Sequence, residues 1–291
     1  MKPPFSISAP TLLAACALLA VVGCNHGPSQ PPGLTQVTTE AFLIPAGGDP
    51  QQRVTSRSGN LVIADGAILA SIDSGSGNVE VGNFAVVGRI GIVSGNLTIG
   101  EGGSTGPIEM TSGNVTLAGS NFVEGSIESV SGNVTGGENV SVSRNVEVLS
   151  GNIAFGPESK VGGRVESISG TVTLDGVRVS DKVDTVSGAI TIRGGKVKGG
   201  VKSAFGDITL ADGAKVEEGV SIYRNDRLPQ SPPGPPRILI GPDVEIEGGL
   251  KFERPVELFV HPSASIGGEI QGAEPRPYEE AFPATDPTAT P

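Results

Sequence analysis

A three-residue phrase, Ser-Gly-Asn, returns at nearly constant spacing through the middle of this chain. It starts at Ser58, Ser76, Ser94, Ser112, Ser131 and Ser150, then continues in altered form as Ser169-Gly170-Thr171, Ser187-Gly188-Ala189 and Phe205-Gly206-Asp207. Successive steps are 18 or 19 residues. A short fixed period means one structural unit stacked on copies of itself, that is, a solenoid.

Each phrase is followed by triplets such as Leu61-Val62-Ile63, Val79-Glu80-Val81, Leu97-Thr98-Ile99 and Ile190-Thr191-Ile192, apolar at both ends and usually polar in the middle. Branched residues alternating with period two describe a strand with one buried face. Two further apolar pulses fall in each repeat. One includes Ile68, Val86, Val123, Val161 and Val179, and the other Ile72, Ile90, Ile108, Ile127 and Val146. Three pulses per repeat predict an all-β fold: a single-stranded parallel β-helix with three short strands per 18–19-residue coil. We expect it to wind to the right. Gly tolerates positive φ, and Asn tolerates the left-handed region. The phrase therefore suits a corner, where Asn60, Asn78, Asn96, Asn114, Asn133 and Asn152 would stack into a ladder that weakens at Thr171, Ala189 and Asp207. One coil alone buries too little apolar surface to offset the ordering of its backbone, so only the stack is stable.

The flanks read differently. Residues 1–23 combine Lys2 with the apolar run Thr11–Val22, like the core of a signal peptide, and end at Val21-Val22-Gly23-Cys24. Small residues before a Cys resemble a bacterial lipobox, which implies cleavage before Cys24 and its acylation, palmitate included. Leu13-Ala14-Ala15-Cys16 fits the local pattern but would leave a very short apolar stretch. Asn25 stands where inner-membrane lipoproteins generally carry aspartate, so the resemblance implies the outer membrane. Residues 24–50 read as a Pro/Gly-rich tether with a first strand possible at Ala41–Ile44, 51–224 as about nine coils, and 225–236 as a Pro-rich loop. Residues 237–272 read as terminal coils and 273–291 as a disordered tail.

Ile127-Glu128-Ser129-Val130-Ser131-Gly132-Asn133-Val134 and Val183–Ile192 resemble the β-repeat of the putative-adhesin family. The Gly-punctuated 18-residue coil is also similar to bactofilins, polymer-forming bacterial β-helix proteins. Both resemblances imply a structural or adhesive protein able to self-associate. Phe259–Gly268 resembles one rung of the left-handed hexapeptide acyltransferases, where a His can act as base; His261 here is expected to be a surface residue of the terminal rung.

Catalysis finds little footing. Pectin-degrading β-helices build clefts from long loops, which coils differing by one residue cannot supply. Glu124, Glu128, Glu147, Glu166, Asp175 and Asp184 are therefore expected on a solvated face. Neither a cofactor nor a metal is expected, since His26 and His261 are the only histidines. A net charge of −11 with no Trp argues against nucleic acid. Arg164, Arg178, Lys182, Lys196, Lys198 and Lys202, with Arg144 and Lys215, could align as a basic stripe for an anionic ligand. The expectation is a non-enzymatic, lipid-anchored, structural or adhesin-like solenoid of the bacterial envelope. A binder of anionic polysaccharide or lipopolysaccharide is the alternative, and a carbohydrate-active enzyme the third.

Overall fold

The structure, a computed structural model, describes residues 34–37, 42–224 and 234–278. Every regular element among them is a strand, and all strand pairing is parallel. The chain winds into a β-solenoid of about 12 turns.

Each coil has three faces. The first follows the Ser-Gly-Asn corner and carries strands such as Leu61–Ile63, Leu97–Ile99 and Val115–Leu117; it forms a 13-stranded sheet from Phe42–Ile44 to Arg276–Pro277. The second carries two-residue strands, for example Ser141–Val142 and Lys160–Val161. The third carries longer strands that lead back to the corner, such as Ile108–Ser112 and Ile127–Ser131. The second and third faces belong to one sheet because Ile68–Ser76 and Val86–Ser94 run through both.

Register is strict. Leu97, Val115 and Val134 lie over one another on the first face, and Ile90, Ile108 and Ile127 on the third; all are essentially inaccessible. Like apolar residues thus stack into continuous columns along the axis, which removes both faces of every coil from water.

The second face departs from the sequence reading at its first coils. Ile68 and Val86 point outward, 36% and 45% exposed, while Leu69 and Val87 fill the interior. Two adjacent apolar residues offered a choice, and a one-residue slip exchanges inside for outside. The inward column Val87–Thr105–Val123–Val142 decides it.

The solenoid also extends past the boundaries drawn from the sequence. Leu34–Val37 pairs with Arg53–Ser56 and Phe42–Ile44 with Leu61–Ile63, so paired strand occupies part of the segment read as a tether. At the other end Arg276–Pro277 pairs with Phe259–Val260, inside the segment read as tail. The Pro-rich insertion leaves the stack in register, for Ile208 pairs directly with Ile238.

Candidate functional site: ladders, a buried ionic column and a cationic groove

The Asn corner is a ladder of a particular kind. Each Asn Oδ1 accepts the backbone N–H of the Asn one coil on: Asn60 from Asn78 (2.9 Å), Asn78 from Asn96 (3.0 Å), Asn96 from Asn114 (3.0 Å), Asn114 from Asn133 (3.0 Å) and Asn133 from Asn152 (2.9 Å). Amide-to-amide bonds occur as well, from Asn96 and Asn114 to the preceding Oδ1, both 3.1 Å. Asn152 serves Thr171 in the same way (2.8 Å), and Asp207 serves Arg237 (2.7 Å) beyond the Pro-rich insertion. What the corner needs is therefore an acceptor, which Asp supplies as well as Asn. A second ladder, unnoticed in the sequence, runs Asp65–Asn83–Glu101, with side-chain oxygens accepting N–H groups at 2.7 and 2.8 Å.

This makes a prediction. Asn114→Ala removes the acceptor for Asn133 N–H at a solvated corner, and should lower stability by about 1 kcal/mol. Asn114→Asp should restore most of it, read as melting temperature. Equal losses in both variants would show that the acceptor is not what matters.

The third face holds a column of outward carboxylates. Asp73, Gly91, Glu109, Glu128, Glu147, Glu166, Asp184 and Lys202 are successive register partners. Coils lie ~4.8 Å apart, so these like charges would repel unless cations intervene. Arg89 bridges Asp73 (2.9 Å) and Glu109 (2.8 Å) across the space left by Gly91. Arg164 bridges Glu147 (2.8 Å) and Glu166 (3.0 Å), and Lys182 bridges Glu166 (2.6 Å) and Asp184 (2.9 Å).

The expected solvated acidic face is here overturned for three residues: Glu147, Glu166 and Asp184 are 8%, 1% and 0% exposed. Long cationic side chains lie along the column, and Tyr223 reaches back over two coils to donate to the Thr185 carbonyl (3.3 Å). Burial pushes Asp184 up to about 6 despite Lys182 beside it. Burial likewise raises Glu147, and raises Glu128 together with the charges of Glu147 and Glu109. The Tyr223 phenol is driven upward by burial and by Asp184. Asp184 Oδ1 is buried without a hydrogen-bond partner among the described residues.

The basic stripe does not hold together as one surface. Arg164 and Lys182 are consumed by the ionic column, and Lys202 lies on the third face. Arg178, Lys196 and Lys198 lie on the second face, where register stacks Lys160, Arg178, Lys196 and Lys215 outward. Lys160 was missed by the sequence reading. Its signal was a basic residue directly before an inward Val, as in Lys160-Val161, Arg178-Val179, Lys196-Val197 and Lys215-Val216. A groove of about 360 Å³ runs here across four coils, lined by Lys160, Arg178, Lys196 and Lys198 with Ser143 and Ser180, and by no acidic side chain. Lys196 meets Glu217 (2.6 Å) and Lys215 meets Glu245 (2.7 Å), so acids close the cationic run at its C-terminal end. Lys160, Arg178 and Lys198 make no ion pair among the described residues.

The chain matches no family model, no curated protein and no solved structure. The chemistry of its surface must carry the functional reading. Among the described residues no group of three or more His, Cys, Asp or Glu side chains is placed to hold a metal ion. His261 Nδ1 lies 2.8 Å from Ser263 Oγ at an exposed turn. Cys24 lies outside the described residues.

Proposed function

We propose that this protein is a non-enzymatic, lipid-anchored β-solenoid of the bacterial outer membrane, serving as a structural or adhesin-like element and able to associate with copies of itself. The observation that carries the proposal is the regularity of the stack. Parallel pairing runs from Leu34 to Pro277 in register, and apart from the coil that carries the Pro-rich insertion the coils are of nearly one size, so the backbone between strands is spent on tight turns. Such a body is stiff along its axis and repetitive on its surface, which suits a spacer or a multivalent face. The anchor reading rests on the apolar run that ends at Cys24.

Metabolic labelling with palmitate, followed by membrane fractionation, tests the anchor. The natural chain is expected to carry label in the outer-membrane fraction, and Cys24→Ala to lose both label and membrane association. An unlabelled chain in the soluble fraction would overturn the anchor. Light scattering over a concentration series tests self-association, which a constant monomer mass would rule out.

A further inference from the structure

The second-face groove has features that a rigid spacer does not need. Its cations follow the coil repeat, ~4.8 Å per step, over the coils that contribute Lys160, Arg178 and Lys196. Lys198, two residues beyond Lys196, lines the same groove, and Gly162 and Ser180 hold the matching places in the two preceding coils. Like charges stacked at this spacing repel one another. On the third face the same chain resolves that repulsion with interleaved opposite charges. At Lys160 and Arg178 on the second face it does not, although Glu124 just before, and Glu217 just after, where it meets Lys196, show that acids fit these positions.

We propose that this groove binds a short stretch of a linear anionic polysaccharide lying parallel to the solenoid axis. Evenly spaced cations match a polymer that bears one charge per repeat. Arg178, in the middle, offers a planar fork for a carboxylate or sulfate. The serine hydroxyls suit sugar hydroxyls. The groove is long and open, as a polymer requires. Nucleic acid is disfavoured because no aromatic side chain lines the groove to stack a base. A bilayer surface is disfavoured because the exposed apolar side chains lie outside the groove, Leu43, Ile68, Phe84, Val86 and Phe122 on earlier coils and Leu149 on the third face. This assignment goes beyond the structural reading and does not depend on the anchor.

The test is fluorescence polarisation with the full chain at low salt. The probes are labelled oligogalacturonate and dextran sulfate, with neutral dextran, an oligo-dT strand and phosphatidylglycerol vesicles as comparisons. Either anionic glycan should bind, and added salt should weaken the binding. The double variant Lys160→Glu/Arg178→Glu should weaken it at least tenfold, whereas Lys251→Glu, a single charge reversal on the third face, should leave it within twofold. An unchanged melting temperature for the double variant ties its loss to the groove. The proposal is overturned if neither anionic glycan binds, if Lys251→Glu weakens binding as much, or if oligo-dT or vesicles bind more tightly than both glycans.

Discussion

Thermal unfolding of this protein should move to higher temperature as the pH is lowered from about 8 to about 5, the reverse of ordinary acid sensitivity. The cause lies in the ionic column. Burial holds Asp184 at about 6, against 3.8 for an exposed aspartate. The folded state therefore binds the proton more tightly than the unfolded chain does. Stability from this group is fully present below the unfolded value and is lost as the pH rises through the folded one. The gap between 3.8 and about 6 corresponds to ~3 kcal/mol in all, about half of it regained by pH 5 and the rest only as the pH falls past about 4. Glu147 and Glu128 are raised as well and act with the same sign. Glu253 is lowered and acts oppositely, but it is largely exposed and contributes little. Lys182 is raised, so its contribution is lost only in strongly alkaline solution.

Asp184→Asn isolates the effect. It resembles the protonated acid, so it should flatten the pH profile and be at least as stable as the natural chain near pH 8. The advantage should shrink by about half at pH 5 and vanish only below the unfolded value of 3.8. A profile that instead climbs toward neutral pH, unchanged by Asp184→Asn, would mean that the column is hydrated and its charges are stabilising.

That column also marks where the sequence stopped being informative. The coils were legible because their signal repeats: Leu61, Val79, Leu97 and Val115 carry one message at one spacing, and each coil corroborates the next. The corner was legible for the same reason, except at Asp207, which was read as weakening the ladder and instead accepts the Arg237 N–H. Burial of Glu166 was not. An outward position on a strand reads as solvated, and nothing in the sequence says that Arg164, two residues before it, and Lys182, from the next coil, close over it together. The cationic groove was half legible. The stripe was seen, but offsets within a repeat do not say which of three faces a residue occupies. Arg164 and Arg178 look like neighbours in a list, yet a turn of the coil separates them. Register along each sheet sorts them, and it replaces Arg164, Lys182 and Lys202 with Lys160.

The largest single-residue effect should come from the corner glycines, and it separates two reasons for having glycine there. Gly113 has φ +119°, and a Cβ on it would press into the carbonyl oxygen of Gly95 one coil below. Gly66 has φ +65°, and a Cβ on it would meet nothing within 4 Å. Gly66→Ala should cost only the backbone angle, about 1–2 kcal/mol. Gly113→Ala adds a clash that no rotamer relieves, because both partners are backbone. The coils must part locally, loosening the Gly95 N–H to Ser112 carbonyl bond (3.1 Å) and the Gly113 N–H to Ser131 carbonyl bond (2.9 Å). Angle and overpacking together amount to roughly 4 kcal/mol. Because every coil leans on the next, the loss should lower the melting temperature of the whole rod and not fray one corner alone. Circular dichroism melts of the two variants decide the matter. If Gly113→Ala melts no lower than Gly66→Ala, the corners are not in backbone contact from coil to coil, and flat stacking of the windings is wrong.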